Sequence, residues 1–273
     1  DLRPTDLNGE ISCDQAGCHP TEPHGQTDLD RHTERVHCTV CHIPFFAKIA
    51  STDMVRDYSL PAELDVEKRL YEPHILREAD VIPKYRFFNG FSTFYEFATP
   101  AIPGESGRVV MADVLGAVTD PDAKIYALKH HLAEMARDLD TDYLIPLKMG
   151  VLFQAGNVTG AIEQGAAEVG WPLNSGYDFV PVERFMGLYH EVSPGGWALF
   201  CSDCHNGGNR LDFDALGYTP LPARQLSPTC ASGCHGDESD EWSPAQFFTR
   251  MHQKHVDDEG FDCSECHIFS AAN

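Results

Sequence analysis

The chain has 273 residues, with 42 Asp and Glu against 20 Lys and Arg, a formal net charge of −22. So acidic a surface repels phosphate, which excludes nucleic acid as a partner. No run of ~20 apolar residues occurs, which excludes a membrane-spanning helix.

Residues 1–48 contain Cys13 and Cys18 followed by His19, then His24, His32 and His37, then Cys38 and Cys41 followed by His42. Residues 43–200 contain no cysteine. Within that stretch, residues 66–76 are expected to form a helix and residues 108–111 a strand. Asp120 reads as a helix N-cap, with Pro121 in the first turn. Ile125, Leu128, Leu132, Met135 and Leu139 then recur at helical spacing. Residues 158–169 read as a further helix. Cys201 and Cys204 follow, with His205 directly after. Residues 241–255 are expected to be helical, with Ser243 as cap, Pro244 in the first turn, and Phe247, Phe248 and Met251 on a buried side. Residues 228–273 repeat the layout of the first segment: Cys230 and Cys234 with His235, then His252 and His255, then Cys263 and Cys266 with His267. Turns rich in Pro and Gly separate these pieces. The expected fold is mainly coil with α-helices and little β.

All ten cysteines fall into five pairs, each followed at once by a histidine. Three pairs have the spacing Cys-x-x-Cys-His. Cys13/Cys18 and Cys230/Cys234 are stretched, with four and three residues between the thiols. One such motif alone could be half of a zinc site or a redox dithiol. A disulfide framework leaves the five histidines unexplained. Two thiols can each add to a vinyl group of one haem, and the adjacent histidine then reaches the iron. The pattern therefore predicts five covalent haem c groups, ligated on the proximal side by His19, His42, His205, His235 and His267. Three segments follow: an N-terminal dihaem segment (1–48), a cysteine-free middle supplying distal ligands and packing (49–200), and a C-terminal trihaem segment (201–273). A continuous haem chain is expected to join them into one unit. Much of the core is expected to be porphyrin.

Covalent haem attachment is completed outside the cytoplasmic membrane. An extracellular or cell-surface location is expected, with the periplasm as alternative. Asp1 reads as a start left by removal of a signal, and its not being cysteine argues against a lipoprotein anchor.

Nine further histidines remain: His24, His32, His37, His74, His130, His131, His190, His252 and His255. Five six-coordinate haems need five distal ligands. Two imidazoles hold iron low-spin in both oxidation states and deny substrate a coordination position. This predicts electron transfer rather than catalysis; an enzyme would need one haem with an open position.

The chain resembles the octahaem tetrathionate-reductase-type family of multihaem cytochromes c. The matching pieces are His32-Thr-Glu-Arg-Val-His-Cys-Thr-Val-Cys-His-Ile-Pro, Arg86-Phe-Phe-Asn-Gly-Phe-Ser-Thr-Phe-Tyr and Ala123-Lys-Ile-Tyr-Ala-Leu-Lys-His-His. The longest runs from Gly170 to Tyr218. It includes Tyr189-His-Glu-Val-Ser-Pro, Ala198-Leu-Phe-Cys-Ser-Asp-Cys-His and Arg210-Leu-Asp-Phe-Asp-Ala-Leu-Gly-Tyr. The resemblance implies that His32, His131 and His190 are distal ligands, with His130 a neighbour. His255, in Met-His-Gln-Lys-His-Val before a haem signature, matches a common distal arrangement of multihaem cytochromes. The fifth distal ligand is left among His24, His74 and His252, and His37 abuts Cys38 too closely to serve easily. The family has eight haems, and its lysine-ligated catalytic haem lies among early haems that have no counterpart here. The resemblance thus covers the conducting part.

By type, the chain is also similar to secreted cytochromes that polymerise into extracellular electron-conducting filaments. The expected function is electron conduction along bis-histidine haems, possible partners being further copies in a homopolymer, other redox proteins or extracellular acceptors. The alternative is a reductase of sulfur or nitrogen oxyanions with one high-spin catalytic haem.

Overall fold

The computed structural model describes residues 13–14, 19–20, 22–25, 27–204, 210–220, 253–254, 258 and 269–271. Two short helices come first, α1 (Thr27–His32) and α2 (Cys38–His42). Eight strands follow: β1 (Thr52–Asp57), β2 (Glu63–Asp65), β3 (Leu70–Glu72), β4 (His74–Glu78), β5 (Lys84–Phe88), β6 (Ser92–Phe94), β7 (Val109–Val114) and β8 (Lys124–Asp138). Helices α3 (Met149–Ala155) and α4 (Val158–Glu168) precede β9 (Tyr177–Gly187), α5 (Cys201–Cys204), β10 (Tyr218–Pro220) and β11 (Phe269–Ala271).

A seven-stranded mixed sheet dominates, in the order β4-β1-β8-β9-β7-β6, with β5 also on β8. The expectation of a coil-and-helix fold with little β is therefore wrong. The central error concerns Ile125 to Leu139, of which all but Leu139 lie in β8 and none in a helix. One edge of β8 pairs antiparallel with β9 from Leu128↔Gly187 to Asp138↔Tyr177. Its other edge is shared by β5, antiparallel, and β1, parallel. Both faces of β8 are packed: Leu128 joins Phe88, Val114 and Phe185, while Ala127 joins Ile43, Phe46 and Leu188. A strand buried on both faces loses clean alternation, so spacings of three and four arise without a helix.

The turn chemistry also misled. Asp120 Oδ1 accepts a hydrogen bond from the Asp122 amide at 3.0 Å, and Asp120 O accepts from the Ala123 amide at 3.3 Å. Asp-Pro here builds a turn into a strand, and the residue types that cap helices are also those that make such turns. Residues 66–76 are likewise not helical. Asp65 Oδ1 accepts from the Glu67 and Lys68 amides, both at 3.0 Å, and closes the β2–β3 hairpin before β4 begins.

Two expectations hold. The strand at 108–111 is β7. The helix at 158–169 is α4, capped by Asn157 Oδ1, which accepts from the Gly160 amide at 2.9 Å. The helix expected at 241–255 lies almost wholly outside the described residues. β10 and β11 pair antiparallel, Tyr218 opposite Ala271. Among the described residues, no helix is long and apolar enough to cross a membrane.

Candidate haem centre

The first complete signature is mounted on the sheet. The His37 amide donates to Ile125 O at 2.9 Å, and the Ile125 amide donates to Arg35 O at 2.7 Å, so the chain entering α2 is stitched to the start of β8. Arg35 reaches further, donating from Nη1 to Asp120 O and from Nη2 to Val118 O, both at 2.7 Å. Val40 and Ile43 are almost fully buried beneath α2. Full burial of one such side chain contributes roughly 1.5–3 kcal/mol. Thr39 and Val40 thus face the core, while Cys38 and Cys41, three apart on one turn, remain half-buried.

His37 caps this helix. The Thr39 amide donates to its Nδ1 at 3.3 Å, and the ring lies on Tyr126 with centroids 4.0 Å apart. Burial, reinforced by Lys124, pulls His37 down to about 4.

His42 follows at the end of α2. Its Nδ1 lies 2.9 Å from Ser193 O. A carbonyl only accepts, so Nδ1 carries the proton and Nε2 keeps the lone pair that a metal needs. The loop after β9 is held to α2 and to the segment that follows it. The Ser193 amide donates to His42 O at 2.7 Å and the Leu199 amide to Cys41 O at 2.9 Å. Glu191 Oε2 accepts from the Lys48 amide at 2.8 Å. The same loop runs into α5, which carries the Cys201/Cys204 signature.

Several attachment cysteines converge. The Cys13 thiol is in hydrogen-bond contact with the Cys38 thiol. Tyr85 packs against the same core cluster as Cys204 and lies within electrostatic reach of Cys204 and Cys41. Burial pushes the Tyr85 hydroxyl above its ordinary value, so it stays a donor. Tyr85 Oη and Arg210 Nε are buried without a well-formed hydrogen bond. Arg210 is otherwise held by Pro44 O and by the Phe45 ring, 5.0 Å away.

The remaining histidines differ in surroundings. His24 Nδ1 lies 2.9 Å from Asp30 Oδ1, and the His24 and His42 ring centroids are 6.2 Å apart with 19° between planes. His32 closes α1 and is exposed, as is His19. His74, on β4, pairs with Glu63 at 3.2 Å. His190 stands 73% exposed in the loop that carries Ser193. His131 is buried in the sheet with both nitrogens engaged: Nε2 is 3.1 Å from Asp53 Oδ1, and Arg184 Nε donates to Nδ1 at 3.3 Å. Its neighbour His130 pairs with Glu183 at 2.8 Å and lies on Phe185. Cys18, His205, Cys230, Cys234, His235, His252, His255, Cys263, Cys266 and His267 lie outside the described residues, and Cys201 is described in backbone only. The contributions of Ser193, Tyr85 and Arg210 had no signal in the sequence, because they depend on chain crossings and not on spacing.

These residues fit haem c. The paired cysteines sit on one turn, the following histidine has its Nδ1 occupied, and two buried donors, Tyr85 Oη and Arg210 Nε, lack a well-formed hydrogen bond among the described residues. Trp197 and Phe200, 77% and 71% exposed, stand just before α5 and offer flat apolar faces of the kind a porphyrin covers.

The family described as bacterial cytochrome c matches residues 71–208. Among solved structures, the octaheme cytochrome c from Shewanella oneidensis is similar with a TM-score of 0.65 and 31% identity, covering 77% of this chain and 51% of that one. The chain spans about half the length of that protein. No curated protein matches significantly. The family match takes in sheet strands β4 to β9, α4 and the Cys201/Cys204 signature, and with them Ile125 and Ser193, which hold the α2 site in place. The chain belongs to the bacterial cytochrome c family, as a multihaem c-type cytochrome similar to the octahaem protein.

Proposed function

We propose that this chain is an electron conduit with five covalent haem c groups, working outside the cytoplasm. The observation that carries the reading is the convergence of attachment points: Cys13 touches Cys38, and Tyr85, packed on the same cluster as Cys204, also lies within electrostatic reach of Cys41. Prosthetic groups tethered at adjoining sulfurs are held close, and electron hopping weakens steeply with distance. When bound, haem supplies a one-electron couple. The protein's part is to hold its surroundings still. Ser193 O fixes the tautomer and orientation of the His42 ring, and such a hydrogen bond raises the basicity of a ligating imidazole. Tyr85 Oη and Arg210 Nε supply donors suited to a carboxylate such as a haem propionate. The geometry favours a structural role for His131, since both its nitrogens already serve Asp53 and Arg184.

Intact mass under denaturing conditions is expected to exceed the apoprotein by five haem masses. A gain of three would leave only the standard signatures occupied. All-low-spin ferric haem in the resting protein is the expected electron paramagnetic resonance result. A high-spin signal would favour the oxyanion reductase instead.

The proposed assembly is a homopolymer, in which an end histidine ligates the iron of a neighbouring copy. Electron microscopy of native material is expected to show filaments. Protein that stays monomeric at high concentration with every iron low-spin would rule out ligation between copies.

A further inference from the structure

We infer that His24 is the distal axial ligand of the haem carried by Cys38 and Cys41, opposite His42. The assignment rests on haem attachment at that signature. Sequence spacing alone does not select it, because His24, His74 and His252 are equivalent there.

The first observation is the ring geometry. The two centroids are 6.2 Å apart and the planes differ by 19°. A histidine–metal bond of about 2.0 Å, plus about 1.1 Å from the ligating nitrogen to the ring centre, puts two imidazoles on one metal about 6 Å apart. Direct ring stacking would bring the centroids much closer, as between His37 and Tyr126 at 4.0 Å. The separation suits a metal between the rings.

The second observation is independent of the first. Each ring has Nδ1 committed to an oxygen that only accepts: Ser193 O for His42 and Asp30 Oδ1 for His24, both at 2.9 Å. Each therefore carries its proton on Nδ1 and its lone pair on Nε2. A partner on the non-ligating nitrogen is the usual support of a metal-bound histidine. Asp30 also accepts from the His24 amide at 3.1 Å, so one carboxylate positions both backbone and ring. Asp30 lies in α1, whose chain continues through Val36 onto β8. The proximal ring is thus oriented by the loop after β9 and the distal ring by α1. His74 likewise has Nδ1 on a carboxylate, 3.2 Å from Glu63 Oε1, so the ring relation with His42 is what singles out His24.

The two supports differ in charge. A carbonyl polarises the His42 N–H modestly, whereas the Asp30 carboxylate draws on the His24 proton more strongly. A ligand made more basic in this way stabilises the ferric state. Asp30 is accordingly a positioning residue that lowers the potential of this haem.

The test uses the full haem-loaded protein. Intact mass first establishes attachment, and a wild-type deficit confined to a Cys38/Cys41 peptide would refute the haem reading itself. Given full loading, H24A is expected to convert one haem equivalent from low to high spin, with low spin restored by added imidazole. H74A is expected to leave the spin state unchanged. The wild-type signal lost in H24A should be rhombic, as nearly parallel axial imidazoles produce. H24M guards against failed maturation of the alanine variant. It should keep one haem low-spin, create the charge-transfer band of methionine–histidine ligation, and raise that haem's potential. D30N should raise the same potential while leaving all haems low-spin. Full retention of the wild-type low-spin signals in H24A, or their loss in H74A, overturns the assignment.

Discussion

Gly165→Ala is expected to destabilise the fold by about 2 kcal/mol, although the substitution improves helix propensity. Gly165 is buried in α4, where the helix crosses the segment leading to α3. A Cβ there would overlap Pro146 O, and it would come within 2.9 Å of Pro146 C and 3.1 Å of Lys148 N. That segment cannot retreat freely. The Ile145 amide donates to Ala136 O on β8 at 2.9 Å, and the Lys148 amide donates to Ala161 O on α4 at 2.8 Å. Replacing Gly by Ala in a helix gains about 1 kcal/mol. Overpacking costs typically about 1–3 kcal/mol, and the upper end of that range applies here because the obstacle is main chain and not a flexible side chain. Gly150→Ala, in α3, is the matched control, because nothing lies within 4 Å of its added Cβ. It should be neutral or slightly stabilising. Denaturant midpoints followed by far-ultraviolet circular dichroism would compare the two. Equal midpoints would show that α4 does not press on residues 146–148.

The protein is expected to lose about 2 kcal/mol between pH 7 and pH 5 through His131 alone. Burial, with Arg184 beside it, lowers His131 to about 4, while Asp53 opposes the shift. An unfolded histidine titrates near 6.5. Between those values the unfolded chain binds a proton that the folded chain refuses, so stability falls as the pH falls. The loss starts near 6.5 and levels off near 4. The groups around the ring are Asp53 on β1, Arg184 on β9 and Lys129 on β8 itself. His131→Gln keeps a donor for Asp53 and an acceptor for Arg184 but cannot titrate. Its melting temperature should fall less than the wild type's between pH 7 and pH 5, with the haem spin state unchanged. Parallel falls in both proteins would show that His131 does not carry the effect. A high-spin haem in the variant would return His131 to the iron.

The haem chemistry was legible because it is written in covalent neighbours. Two thiols and a histidine within five or so residues share one turn whatever the rest of the chain does, and α2 shows this at Cys38, Cys41 and His42. Helix α4 was legible for a similar reason: Asn157 caps it locally, and one of its faces is buried. Strand β8 was not legible. Its residues pack on both faces, so their spacing records which neighbouring elements they meet and not the period of the backbone.

By itself, then, the sequence determined the attachment chemistry, the acidic surface and the elements whose hydrogen bonds close within a few residues. The tertiary structure decided what depends on chain crossings. The seven-stranded sheet needs pairings between strands far apart, such as β1 with β8 and β7 with β9. The setting of His42 needs Ser193, 151 residues away, and His131 is held by Asp53 and Arg184 from two other strands. A histidine's residue type records that it can bind a metal. Only the fold sets which of its nitrogens is already taken, and by what.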